Sequence, residues 1–254
     1  MCLLAWNWLP DSDVPLLLIG NRDEFYVRPT RELHWWSNTL KDTDILAGRD
    51  MQAGGTWLGV SRSGRIAALT NFRSGAPQRL NALSRGELVT GFLSGQLNAE
   101  EYLNLLSARA ADFNPFNLLV FDGQQLLGIQ SRDARIIKFK PGIGAVSNAD
   151  FQTPWPKLSR LQAQLLGHTE HQVPDPQTLL SLLKDTTQAS DEALPNTGIA
   201  TSMEKTLSSI FINTSGYGTR CSSVIEARLH QITFSESRFD AQGPTGQSQV
   251  SFDY

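Results

Sequence analysis

Met1-Cys2-Leu3-Leu4-Ala5-Trp6-Asn7-Trp8 opens the 254-residue chain, and this stretch decides how the rest is interpreted. It is aliphatic and aromatic as far as Asn7, which predicts a buried strand. Cys2 is small enough for the initiator Met1 to be trimmed. Trimming would leave a thiol and a free α-amine on one residue, with pKa values of about 8.5 and about 8. Such a residue is a nucleophile that carries its own base. The alternative, an incidental buried Cys at a terminus, stays open here.

The composition excludes several classes of protein. A hydrophobic content of 40% supports a substantial core without a structural metal or disulfide. The net charge of −3 argues against a nucleic-acid partner. The two cysteines, Cys2 and Cys221, are too few for a disulfide framework and favour a reducing compartment. No apolar run has the length of a membrane span, and the first residues lack a secretory signal. We expect a soluble cytoplasmic protein.

A second apolar stretch, residues 15–20, is predicted to form a hairpin with the first. This hairpin would return Asn21-Arg22-Asp23-Glu24 to the neighbourhood of Cys2.

Beyond the hairpin, the patterns predict blocks of strands separated by pairs of helices. Ser84 and Asn98 are predicted to begin the first two helices, and Pro156 and Pro176 the next two. Strands are predicted at 56–61, 65–71, 117–121, 125–131, 135–140, 144–147, 207–212, 219–229 and 231–239. Without regular alternation of strand and helix, this order predicts an α+β fold: a four-layer α/β/β/α sandwich of two mainly antiparallel sheets.

The domain organisation is predicted to be simple. No linker rich in Pro, Gly and Ser divides the sequence, so we expect a single domain over residues 1–254. The polar stretch 186–204 is predicted to run over the surface. Residues 241–254, rich in Gly, Gln and Ser, are predicted to be a frayed tail.

The candidate site residues lie at the ends of predicted strands. Arg22 and Asp23 close the second strand, Asn71 and Asn148 each end an apolar run, and Arg220 opens a late strand. A side-chain amide can donate to an oxyanion without adding charge, which suits the two asparagines to amide chemistry. A turn role for each Asn, and a surface ion pair for Arg22 and Asp23, are the open alternatives.

The string Gly20-Asn21-Arg22-Asp23-Glu24 resembles the signature of the NRDE-motif family, also called the transport and Golgi organisation protein 2 family. Segments that resemble the same family span nearly the whole chain, and the NRDE and GGTWLG strings are specific. They are Met1-Cys2-Leu3, Gly54-Gly55-Thr56-Trp57-Leu58-Gly59-Val60, Ala68-Leu69-Thr70-Asn71-Phe72-Arg73, Ser84-Arg85-Gly86, Phe116-Asn117-Leu118-Leu119-Val120 and Ser147-Asn148.

The family is similar in turn to N-terminal nucleophile hydrolases of the choloylglycine hydrolase and penicillin V acylase type. In those enzymes a Cys exposed by processing attacks an amide. The resemblance implies that Arg22 and Asp23 hold the nucleophile, that Asn71 and Asn148 lie near the oxyanion, and that Arg220 completes the site.

The chain departs from the hydrolases at one point. They separate the Arg and the Asp by three positions, whereas Arg22 and Asp23 are adjacent. Strand neighbours point to opposite faces, so both can face Cys2 only if the strand has ended or bulges.

Two functions are consistent with these residues. The first is hydrolysis of a linear amide of a small acyl-amide by an N-terminal Cys, which needs neither cofactor nor metal. The alternative, which the family resemblance suggests, is a non-catalytic protein that binds or traffics haem or an acyl ligand. Haem is then a candidate ligand, and His34 beside Trp35-Trp36 is its candidate contact. The expected partner is a small-molecule amide or an apolar ligand.

Overall fold

Two antiparallel sheets face each other across the main core in a computed structural model that describes residues 2–36, 44–170 and 172–254. Met1, which the size of Cys2 allows to be removed, lies outside the residues that the structure describes. The first sheet has the order β10 (Gly142–Val146), β1 (Cys2–Trp8), β2 (Leu16–Phe25), β11 (Tyr217–Ala227), β12 (Gln231–Asp240) and β13 (Gly243–Asp253). The second has the order β3 (Thr30–Trp35), β4 (Ile45–Asp50), β5 (Leu58–Ser61), β6 (Ile66–Asn71), β7 (Phe116–Phe121), β8 (Leu126–Gln130) and β9 (Arg135–Lys138).

Helices cover the outer face of each sheet. Apolar residues of α1 (Gly86–Ser94) and α2 (Ala99–Ser107) pack against the second sheet. Those of α3 (Pro156–Thr169) and α4 (Pro176–Leu182) pack against the first. A short helix, α5 (Thr201–Thr206), precedes β11. The predicted four-layer α+β sandwich is confirmed.

The composition of β1 follows from its central place between two apolar layers. Leu4, Trp6 and Trp8 point into the core between the sheets. Leu3 and Ala5 point the other way, into the layer beneath α3 and α4. Because side chains alternate along a strand and both faces are covered, an uninterrupted apolar run is required here.

The helix starts follow local signals, with one shift. Asn98 and Glu101 form the reciprocal capping box that starts α2, and Asp175 caps α4 ahead of its first-turn Pro. Helix α1 begins one residue later than the sequence predicts, with Arg85 rather than Ser84 at the N-cap position.

Two predictions near the C-terminus are wrong. Residues Gly243–Asp253 form β13, an 11-residue strand, instead of a frayed tail. Their polar composition is typical of a loop, but β12 supplies a partner for the strand, and Val250 and Phe252 pack against the core. The run 207–212 is irregular rather than a strand, although Leu207 and Ile210 are buried as a strand core would be.

Gly144→Ala is expected to lower the free energy of unfolding by about 1–3 kcal/mol. Gly144 lies directly opposite Trp6 on β1, and an added Cβ would come within 2.2 Å of the indole ring. Urea unfolding of the variant and the parent measures the change. Gly167→Ala in α3 is the control, because nothing lies within 4 Å of its added Cβ and alanine favours the helix. Equal stabilities of the two variants would contradict this account of the packing.

Candidate active site

A cavity of about 790 Å³ lies beside Cys2 at one end of the two sheets. We call it the Cys2 cavity. Residues of β1, β2 and β11 form one wall, and residues of β4, β6 and the start of α1 form another. Five of the six predicted site residues line it, namely Cys2, Arg22, Asp23, Asn71 and Arg220. Asn148 is not among its described lining residues. The fold thus brings together segments from the beginning, middle and end of the chain.

Cys2 and Arg22 share one face of the first sheet. They lie directly opposite each other on β1 and β2, and opposed residues of antiparallel strands point to the same side. Both are buried. Burial raises the pKa of the Cys2 thiol to about 11, against the lowering effects of the α-ammonium of the chain and, after it, of the Arg22 charge. The thiol is therefore protonated at neutral pH in the chain that includes Met1.

Arg22 and Asp23 point to opposite faces of β2, because the strand continues to Phe25 without a break. The Arg22 guanidinium lies 3.3 Å from an Asp50 carboxylate oxygen. The Asp23 carboxylate accepts a hydrogen bond of 2.8 Å from the Thr219 hydroxyl on the other side. The bulge that the sequence left open for β2 lies instead in its partner strand, β11. There the register between β2 and β11 shifts at Arg220.

Lys157 is a buried cation near Asp23 that sequence reasoning missed. It lies in the first turn of α3 and is 2% exposed. Burial lowers the pKa of its ammonium to about 8, and the charge of Asp23 opposes that shift. Burial also raises the pKa of Asp23, and Lys157 is the foremost opposing charge. A lysine in the first turn of a helix is ordinarily exposed, so the sequence carried no signal for this pairing.

The two asparagines occupy different positions. Asn71 lines the Cys2 cavity at the end of β6. Asn148 is fully buried behind it, and its side-chain amide donates a hydrogen bond of 2.8 Å to the backbone carbonyl of Asn71. The hydroxyl of Ser147 lies 3.2 Å from the backbone carbonyl of Cys2, which it can donate to. Asn148 and Ser147 thus connect the end of β6 to the start of β1. In this geometry Asn71 faces the cavity and Asn148 supports it.

Arg220 is the extra residue of the β11 bulge. One guanidinium nitrogen donates to three backbone carbonyls at and just after the end of β2, those of Phe25, Tyr26 and Arg28, at 3.0–3.2 Å. Arg220 therefore secures the turn beside the cavity. Cys221 follows it, lies opposite Arg22 and lines the same cavity, so the two cysteines flank Arg22 on adjacent strands.

A buried ion pair supports the site from behind. The side chains of Arg73 and Glu204 are 4% and 3% exposed, and their charged atoms are 2.7 Å apart. The backbone N–H of Arg73 donates to the carbonyl of Asn148 at 2.7 Å. Glu204 belongs to the stretch 186–204, so the predicted surface location of that stretch is wrong at this residue. Its burial follows from the pairing with Arg73, which lies 131 residues away in the sequence.

The polar groups of the Cys2 cavity are mostly arginines and carboxylates. Trp57, Leu69 and Phe239 add apolar surface, and no histidine is found among the described lining residues. His34 lies on β3 outside the lining, with its Nδ1 atom 2.6 Å from the carbonyl oxygen of Glu32. Within the described ranges, no cluster of His, Cys, Asp or Glu could hold a metal ion. No helix in those ranges is long and apolar enough to span a membrane.

The fold is that of the N-terminal nucleophile hydrolases, with a cysteine at the start of an inner strand of the sandwich. A similar solved structure is an N-acylethanolamine-hydrolyzing acid amidase orthologue from Caenorhabditis elegans. It has a TM-score of 0.52 and 11% identity, over 89% of this chain and 93% of that one. Another is a mutant of the conjugated bile acid hydrolase of Clostridium perfringens, with a TM-score of 0.50 and 10% identity over 100% and 97% of the two chains.

The chain belongs to the transport and Golgi organisation 2 family, whose model matches residues 1–241. A homologue of transport and Golgi organization protein 2 from Bos taurus is 34% identical, over 96% of this chain and 95% of the relative. The human homologue is 33% identical, over 93% and 92%. The family predicted from the NRDE and GGTWLG strings is confirmed.

Proposed function

We propose that this protein hydrolyses a linear amide bond of a small acyl-amide, with Cys2 as the nucleophile once Met1 has been removed. The observation that carries the proposal is the position of Cys2. It lies opposite Arg22 on the face of the sheet that borders a 790 Å³ cavity, and Asn71 lines the same cavity. The two similar solved structures, an acid amidase and a conjugated bile acid hydrolase, support the reaction class.

Removal of Met1 supplies the base. The new α-amine belongs to Cys2, and the register of β1 on β2, extended one place beyond Cys2, reaches Asp23. The amine would therefore lie on β1 across from the backbone that joins Arg22 to Asp23 on β2. The buried carboxylate of Asp23 orients the amine, while the charge of Arg22 favours the thiolate. Adjacent residues on opposite faces of one strand can in this way serve two different groups of a single nucleophilic residue.

The reaction proceeds through an acyl-enzyme. The α-amine takes the thiol proton, and the sulfur of Cys2 forms a bond to the carbonyl carbon of the amide. Asn71 donates its side-chain N–H to the resulting oxyanion, with Asn148 holding the backbone of Asn71 in place. The ammonium returns the proton to the leaving nitrogen as the C–N bond breaks. Water then attacks the thioester, with the amine as base, and releases the acid and the free thiol.

Cys2→Ala is expected to lower amide turnover by at least about 1,000-fold, because it removes the group that forms the acyl-enzyme. Two series of acyl p-nitroanilides of increasing chain length, one uncharged and one with a terminal carboxylate, measure the effect by release of p-nitroaniline. Intact mass of the same preparation reports both the loss of Met1 and an acyl adduct.

Cys221→Ala is the matched control, since it removes the second thiol of the same cavity. The acyl adduct should persist in this variant and map to Cys2. Undiminished turnover in Cys2→Ala, or an active preparation that retains Met1 throughout, would refute the mechanism. Saturable binding of the anilides without release of p-nitroaniline would instead favour a ligand-binding role.

A further inference from the structure

The Cys2 cavity carries an excess of positive charge. Seven arginines and five carboxyl groups line it, which gives the lining an excess of two positive charges. The protein as a whole has a net charge of −3. The local charge is therefore opposite in sign to that of the molecule.

The carboxylates of the cavity already have partners on the protein. Asp50 binds both Arg22 and Arg28, at 3.3 Å and 2.6 Å. Arg238 lies 2.9 Å from Glu32 and 3.7 Å from Glu236. These pairs neutralise three of the seven arginines.

Arg85 is a half-buried cation of the cavity whose contacts are all with neutral groups. Its guanidinium donates to the backbone carbonyl of Pro115 and to the side-chain oxygen of Gln78, both at 3.2 Å. It has no salt bridge to a carboxylate within the described ranges. Burial lowers the pKa of Arg85, and the negative charge of the Cys2 thiolate is the foremost effect that opposes this. The two side chains are thus within electrostatic reach of each other.

Arg31 and Arg49 form an opposed pair of like charges. They lie directly across from each other on β3 and β4, and both line the cavity. Like charges at directly opposed positions destabilise a sheet. Arg31 has no salt bridge in the part of the chain that the structure describes. The neighbouring pair, Thr30 and Asp50, contacts Arg22, so Arg31 and Arg49 point to the other face of the sheet, away from Cys2.

We propose that Arg85 binds an oxyanion of the ligand, a carboxylate or a phosphate. The substrate of the reaction proposed above is then an acyl-amide that carries a negative charge. The amide part of this statement rests on the proposed function, whereas anion binding requires no turnover. An uncharged amide would leave the half-buried Arg85 without a counter-ion, so Arg85 selects against it.

Iodoacetate and iodoacetamide test the proposal, because they deliver the same alkyl group with and without a carboxylate. We measure the ratio of their rates with Cys2 in a chain that begins at Cys2, at low ionic strength, and the same ratio with N-acetylcysteine. The cavity is expected to raise the ratio by roughly tenfold over the free thiol. The increase should decline as salt is added. The ratio cancels changes in thiolate content that affect both reagents alike.

Arg85→Gln is expected to remove most of that increase, and Arg31→Gln little of it, because Arg31 points to the other face of the sheet. Arg62→Gln is the control: it removes the same charge from an exposed residue outside the cavity and should leave the ratio unchanged. A ratio equal to that of N-acetylcysteine, or one that Arg85→Gln and Arg62→Gln lower equally, would overturn the proposal.

Hexanoate and hexyl phosphate distinguish the two anions and provide a test that needs no reactive thiol. Calorimetric titration of the wild-type protein should show salt-sensitive binding of at least one of them, weakened about tenfold or more in Arg85→Gln. The anion that binds more tightly shows whether the cavity prefers a carboxylate or a phosphate. Hexanol, which has the same chain without the charge, should bind equally to both proteins. Absence of binding by both anions would overturn the proposal, whether or not the protein turns over amides.

Discussion

Iodoacetamide is expected to alkylate Cys2 about 20-fold faster at pH 7.5 in a chain that begins at Cys2 than in one that begins at Met1. Burial raises the thiol pKa to about 11 in the chain with Met1, so only about one thiol in 3,000 is ionised at this pH. The α-ammonium of Met1 already lowers this pKa, but an α-ammonium on Cys2 itself is one residue nearer to the sulfur and favours the thiolate more strongly. A pKa near the ordinary value of about 8.5 would ionise roughly one thiol in ten.

The net increase is smaller than the roughly 300-fold gain in thiolate, since a thiolate of lower pKa is a weaker nucleophile by about tenfold. The pH dependence provides the sharper measurement. The rate for the chain with Met1 should rise through pH 10, whereas the rate for the trimmed chain should level off above about pH 8.5.

The two chains can be prepared from one fusion by cleavage before Met1 or before Cys2. Cys221 is an internal control, because burial raises its thiol pKa strongly and it should stay unlabelled in both chains. Superimposable pH profiles would show that Met1 does not control the thiol, and the proposed base would then be wrong.

The fold could be predicted from the sequence because its signals are local. The apolar run of β1, the capping box at Asn98 and the Asp175-Pro176 start of α4 each fix an element from neighbouring residues alone. The hairpin also predicted that Arg22 returns to Cys2, as the register shows. Strands β3 and β4 were not predicted from the sequence, and β13 has no local signal, since its order comes from pairing with β12.

The site could be predicted only in outline, because its geometry depends on pairings between distant segments. From β2 alone, Arg22 and Asp23 could not both face Cys2, because neighbours on a strand point to opposite faces. The bulge at this point lies in the partner strand β11, at Arg220. Asn148 and Asn71 look equivalent as strand ends, yet one supports the other. Such relations appear only once the sheets are assembled.

Buried charges were the hardest feature to predict. Lys157 lies in the first turn of a helix and Glu204 in a polar stretch, where charged side chains are usually exposed, and their burial depends on Asp23 and Arg73. A charged residue is buried only with a partner, and in a sequence the partner can be anywhere.

Arg73→Met is expected to lower the free energy of unfolding by about 3–5 kcal/mol, because it leaves the carboxylate of Glu204 buried without its counter-ion. The salt bridge has a length of 2.7 Å, and its side chains are 4% and 3% exposed. Chemical unfolding of the variant and the parent gives the difference. The exposed pair Arg109–Asp112, at 3.1 Å, provides the control, and Arg109→Met should change stability by less than about 1 kcal/mol.

The double variant Arg73→Met with Glu204→Met separates the ion pair from the unpaired charge. Replacing both charges by apolar side chains should restore at least about half of the lost stability, since no charge then remains buried alone. A double variant as unstable as Arg73→Met would show instead that Arg73 acts by packing on Trp155, whose ring centre lies 4.8 Å from the guanidinium. The backbone of Arg73 connects to Asn148, and through it to Asn71. The two outcomes therefore also show what holds Asn71, the predicted oxyanion donor, beside Cys2. It is either the ion pair of Arg73 with Glu204 or the packing of Arg73 on Trp155.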